Sequence, residues 1–144
     1  MKVAINDRRG GGVNKRALRK SCLRVLKAEE VRRDAVLSLT VLSEDGIGEL
    51  NRKYLSREGP TDVIAFPMGE ECESGFLLGD VLVCPEFIDR NKGRYDVEEG
   101  RELEFVAAHG VLHLLGYEDG DEEGWLKMDR RQREILGLPE GRER

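Results

Sequence analysis

His109 and His113, the two histidines of this 144-residue chain, stand four residues apart in the stretch HGVLHLLGYEDG. On a helix, residues at i and i+4 project from one face, so both imidazoles can reach a single ion. Gly116 lets the chain leave the helix and turn back, and Asp119 follows where a returning loop can present its carboxylate. Zinc accepts carboxylate oxygen as well as imidazole nitrogen. Three protein ligands leave a fourth position for water, the arrangement of a catalytic rather than a structural ion. Two imidazoles on a buried helix can equally be hydrogen-bonded core residues, and it is the glycine and the acids after them that favour the metal. Gly110, between the histidines, costs roughly 1 kcal/mol against alanine inside a helix. Its presence marks a close approach to that helix, by the sheet or by a substrate.

The elements that must position these groups follow from periodicity. KVAIN reads as a strand. VNKRALRKSCLRVLKAEE reads as an amphipathic helix, with Leu18, Cys22, Val25 and Leu26 on one face and Lys20, Arg24 and Lys27 on another. AVLSLTVLS is β-rich, and SEDGIGELNRKYLS has a helix start at Ser43, whose hydroxyl can cap it. Val63 to Phe66 suits a short strand, and MGEECESG after it reads as a mobile polar connection. FLLGDVLVCP is a further strand, broken at Gly79. Pro85 opens a helix that Gly93 stops. The longest helical signal runs from Val97 to Leu115, and a last amphipathic helix covers about Asp121 to Leu136. The order β-α-β-α-β-β-α-α-α, with no repeat and no linker, predicts one α+β domain over residues 1–144. A small mixed sheet packs against several helices, a central buried helix carries the histidines, and a charged tail begins near residue 138.

Composition narrows the function classes. No apolar run is long enough to span a membrane, and MKVAIND is too short and too polar for a signal peptide. Cys22, Cys72 and Cys84 are odd in number and form no CxxC pair, which argues against a disulfide framework or a cysteine-rich zinc site. A cytoplasmic protein with reduced thiols is expected. The net charge of −5 hides an asymmetry: residues 1–60 carry 14 Lys/Arg against 8 Asp/Glu, and the remainder is strongly acidic. Lys15, Arg16, Arg19, Lys20, Arg24 and Lys27 can therefore track a polyanion, although a solvated helix face explains them equally well.

The histidine segment resembles the metal motif of the YbeY endoribonuclease family, HGxLHLxGYDH, in which three histidines hold a zinc ion. LNRKYL followed by PTDVIAFP is similar to the family's LNxxYR and PTDVLSFP segments, and LLGDVLVC to its LGD-led strand. EGRELEFVAAHG resembles the helix entering the metal site, and MDRRQREIL the final helix. The likeness covers most of residues 44–137. It implies a metal-dependent, single-strand-specific endoribonuclease acting in ribosomal RNA maturation and ribosome quality control. One zinc ion per chain is implied, with ribosomal RNA and the small ribosomal subunit or its proteins as partners.

Two departures bear on the site. The family's third histidine aligns with Asp119 and its preceding aspartate with Glu118, so keeping register assigns the ligands as His109, His113 and Asp119, ahead of Glu118 or Asp121. The family's arginine after the tyrosine is replaced by Leu55. Arg57 is the candidate for that cation's catalytic role, although two positions along a continuing helix would turn it by about 200°. Two rival readings stand beside the nuclease. An RNA-binding ribosome-assembly factor would use the metal structurally and cut nothing. A metzincin-like zinc protease shares the HxxxHxxGxxD spacing, but it would carry its general-base glutamate directly after the first histidine, where this chain has Gly110.

Overall fold

Asn14 accepts a hydrogen bond from the Ala17 amide (3.0 Å) and starts α1 (Lys15–Ala28), which buries Leu18, Ser21, Cys22, Val25 and Leu26 along one stripe. The same logic starts α2 (Glu44–Leu55), whose Ser43 Oγ accepts from the Gly46 amide at 3.1 Å. These helices link β1 (Lys2–Asp7), β2 (Ala35–Val41), β3 (Val63–Cys72) and β4 (Gly75–Val83). Then come α3 (Pro85–Arg90), a 3-10 turn over Lys92–Arg94, α4 (Glu102–Leu114) and α5 (Glu122–Leu136). The computed structural model describes residues 1–141, so the end of the charged tail expected from residue 138 lies outside the described residues. The element order and the α+β class are those expected from the sequence.

The four strands form one mixed sheet in the order β1-β2-β4-β3. β1, β2 and β4 run parallel, and β3 pairs antiparallel with β4 at an edge. Alternation then divides the core. Leu37, Leu39, Val41, Val81 and Val83 face a large core shared with α1, α4 and α5. Ile64 and Leu82 face the other way, into a small core closed by Leu42, Ile47 and Cys84. No described helix is long and apolar enough to cross a membrane.

Three expected boundaries move. β3 does not stop at Phe66 but continues through the segment expected to be a mobile connection. Glu70 pairs with Leu77, Glu71 with Phe76 and Cys72 with Gly75 in a hairpin. That arm is exposed along its length, so no alternation of burial is written into it. β4 runs unbroken past Gly79, where irregular register with β2 and β3 replaces the expected interruption. α4 begins at Glu102 rather than Val97, because the chain before it is held by a distant partner. The Arg133 guanidinium donates to the carbonyls of Tyr95 (2.9 Å) and Asp96 (2.8 Å).

Helix α4 is buried on nearly all sides, against β3 and β4, α1 and α5. At Gly110 the approach to the sheet is direct: a Cβ there would lie 2.6 Å from Val81 Cγ1 and 2.9 Å from Val63 Cγ2. The sheet, not a substrate, accounts for this glycine. Both valines are stiff at χ1 and cannot swing aside. Gly110→Ala should therefore destabilise the fold by about 1–3 kcal/mol through overpacking, despite alanine's better helix propensity. Urea denaturation of the two proteins checks this.

Candidate metal centre

The last two turns of α4 carry His109 and His113, and the helix closes in a Schellman motif. The Tyr117 amide donates to the Leu112 carbonyl (3.1 Å), and the Gly116 amide to the His113 carbonyl (3.1 Å). The motif needs a residue in the left-handed region at its bend, and Gly116 supplies it with φ +101°. The reversal carries the chain back over the helix end and brings Asp119 to both imidazoles. Asp119 Oδ2 stands 3.1 Å from His109 Nε2 and 3.3 Å from His113 Nε2, and the two Nε2 atoms are 3.0 Å apart. The rings meet edge to face, with centroids 4.6 Å apart.

The far side of each ring fixes its tautomer. His113 Nδ1 lies 2.9 Å from the Tyr117 carbonyl oxygen, which can only accept, so Nδ1 carries the hydrogen. His109 Nδ1 lies 2.8 Å from Gln132 Oε1. The amide of Gln132 is oriented by its Nε2, which donates to the Phe105 carbonyl at 3.2 Å, so its oxygen accepts from His109. In the neutral rings both Nε2 atoms are therefore the lone-pair nitrogens, aimed at each other and at a carboxylate oxygen. Three such atoms within 3.0–3.3 Å repel unless a proton or a metal cation lies between them. A tetrahedral zinc ion with bonds of about 2.0–2.1 Å holds its ligands about 3.3 Å apart, so the spacing and the donor set both fit. Burial opposes ionisation of Asp119, but positive charge and hydrogen bonding from His113 and His109, where a proton takes the place of an ion, hold this carboxyl below the usual range. A cation at the same place exerts the same pull.

Among the described residues, His109, His113 and Asp119 are the one group of three such side chains close enough to share an ion. The acids weighed as alternatives do other things: Asp121 Oδ1 caps α5 by accepting from the Gly124 amide (2.7 Å), and Glu118 is exposed. Arg57 is not brought to the triad's cavity. α2 ends at Leu55 and Ser56 adopts the left-handed conformation (φ 53°), so Arg57 leaves the helix altogether and the helical rotation expected for it does not apply. The basic residues of α1 line a groove of their own, and among the described residues none of Arg16, Lys20, Arg24 and Lys27 enters an ion pair.

A cavity of about 470 Å³ opens beside the triad, with His109 and Asp119 in its wall. Tyr95, Phe105 and Trp125 supply its aromatic sides. Its deeper polar groups are satisfied internally. Arg133 donates to Asp129 (3.0 Å) as well as to the two carbonyls above, and its guanidinium lies 4.9 Å from the Phe105 ring centroid. Tyr95 donates its hydroxyl to Asp62 Oδ2 at 3.0 Å. Burial and then the Asp62 carboxylate push that phenol well above its ordinary pKa, so it remains a donor. Asp62 also accepts from the Val63 amide at 2.8 Å. Sequence reasoning missed Gln132 and the Tyr117 carbonyl, the two groups that orient the histidines. Neither carries a motif signal.

Comparison with known proteins gives one consistent family. The profile of the family described as "Endoribonuclease YbeY" matches residues 5–138. The chain is 38% identical over 141 residues to the protein named endoribonuclease YbeY of Pelotomaculum thermopropionicum, covering 94% of this chain and 90% of the relative. It is 40% identical over 124 residues to the protein of that name from Syntrophotalea carbinolica, covering 83% and 82%. Among solved structures, the solution structure of TM1509 from Thermotoga maritima is similar, with a TM-score of 0.61 and 29% identity over 94% of this chain and 89% of that one.

Since Gln132 holds His109 in its ligating tautomer, Gln132→Ala should weaken metal binding by about 10- to 100-fold with the fold intact. Competition against a chromogenic chelator measures this. Protons compete for the same Nε2 lone pairs, so affinity should fall as the pH is lowered and recover on raising it. A titration whose affinity does not change with pH would contradict the imidazole ligands.

Proposed function

The chain belongs to the endoribonuclease YbeY family, and from that premise we propose that it is a zinc-dependent endoribonuclease cutting single-stranded RNA, with one ion held by His109, His113 and Asp119. The observation that carries this reading is the convergence of two Nε2 atoms and a carboxylate oxygen, with both Nδ1 hydrogens already committed elsewhere. When bound, such an ion polarises a phosphoryl oxygen and acidifies water. Aspartate as third ligand lowers the site's charge by one relative to three imidazoles, which makes that water less acidic. Gln132 and the Tyr117 carbonyl accept the Nδ1 hydrogens and so keep the imidazoles aimed. Arg57, exposed in the loop after α2, is proposed to meet the RNA phosphate chain outside the cavity, and the basic groove of α1 to add salt-sensitive contacts.

The proposal extends to the setting: one hydrolase domain over residues 1–144, in the cytoplasm, acting on ribosomal RNA during maturation at the small ribosomal subunit. A non-catalytic assembly factor is the second reading, favoured by Leu55 in place of the family's arginine and by the position of Arg57 away from the cavity. The protease is disfavoured by Gly110, which leaves no glutamate beside His109 and is packed against the sheet.

Metal content by mass spectrometry separates these readings first. After identical dialysis, wild type should retain about one zinc per chain and Asp119→Ala far less. Cleavage of single-stranded RNA should then disappear in chelator and in His113→Ala. RNA binding without metal-dependent cleavage would favour the assembly factor, and casein hydrolysis the protease.

A further inference from the structure

We propose that the cavity beside the triad is a binding site for one unstacked nucleobase, the base of a nucleotide adjoining the scissile phosphate. This deepens the nuclease reading and rests on it. At about 470 Å³ the cavity falls within the roughly 300–1,000 Å³ of small-molecule sites, and it shares His109 and Asp119 with the triad. A phosphodiester at the ion therefore has its neighbouring nucleoside at the cavity mouth. Three aromatic rings, those of Tyr95, Phe105 and Trp125, line it, and polar side chains beside them are already engaged. The Tyr95 hydroxyl is engaged with Asp62, Gln132 with His109 and Phe105, and Arg133 with Tyr95, Asp96 and Asp129. Such a lining binds any base through its π-face and reads none by its edge.

Arg94 supplies the complementary charge. It is exposed, it lines the cavity, among the described residues it forms no ion pair, and its guanidinium lies over the Phe87 ring with Cζ 5.4 Å from the centroid. The other guanidinium of the cavity, Arg133, is neutralised by Asp129. Arg94 is thus the cation positioned for a backbone phosphate while the base enters. A base held in this way must first leave its helix stack, so duplex RNA is excluded by the cost of unpairing.

Trp125, the chain's one tryptophan, stands in the cavity wall, so intrinsic fluorescence reports on occupancy directly. Zinc-loaded protein is mixed by stopped flow with a short oligoadenylate, with an abasic ribose-phosphate strand of equal length and with a duplex. Emission is read before cleavage proceeds, and affinity is taken from anisotropy. The single strand should quench Trp125, while the abasic strand should bind about tenfold more weakly without quenching and the duplex should leave emission unchanged. Arg94→Ala should weaken the single strand and flatten its salt dependence, with the quench at saturation preserved. Equal affinity for abasic and base-bearing strands, or cleavage of the oligoadenylate without any quench, overturns the base site and leaves the nuclease standing. If no strand binds or is cut, both fall.

Discussion

Helix α4 offers no side chain of its own to the sheet at Gly110, where the side chains of Val81 and Val63 occupy the space a Cβ would need. This contact sets how deep α4 lies and how it is rotated. His109 and His113 flank the glycine side of the helix while Phe105, Val106, Val111 and Leu112 are buried around it. A helix standing further out would carry both imidazoles away from Gln132 on α5, and the hydrogen bond that fixes one tautomer would be lost. Packing and proton placement are therefore one problem here: the sheet sets the helix, the helix sets the rings, and the rings' outer hydrogens leave their inner lone pairs free.

Around that centre the charge is arranged unevenly. The triad brings one carboxylate and two neutral imidazoles, a modest negative charge that a divalent ion more than reverses. The acids nearest the cavity are tied up, Asp62 by a phenol and Asp129 by Arg133, so they do little to repel an anionic substrate. The basic stripe of α1 stands on a different element, packed on α4 and α5 through its apolar side. An acidic protein with a net charge of −5 thus keeps two regions hospitable to a polyanion, since local potential and not net charge governs approach.

Much of this was legible in the amino-acid order. The histidine spacing, Gly116 and Asp119 name the triad because a helix end and a Schellman turn are local devices with local signals. Ser43 announces its helix for the same reason. What could not be read depends on distant partners. Val97 imitates the first turn of α4, but Arg133, 37 residues beyond Asp96, holds that segment out of the helix. The outer arm of β3 pairs with β4 while exposing both faces, so nothing in its composition marks it as strand. Gln132 is one amide on an amphipathic helix until the fold sets it 2.8 Å from His109. Arg57 was placed by assuming α2 continued, whereas a left-handed Ser56 ends it.

The two histidines are steadied by unlike means. His109 leans on a side chain, whereas His113 leans on a main-chain carbonyl that every residue type at position 117 would present. Inherited variation can therefore strip the support of His109 in a single step at Gln132. The support of His113 is out of its reach except through Gly116 and the turn that aims the carbonyl. Over long divergence the second imidazole is the better insured of the two, and the first is where a lineage losing its metal would begin to show it.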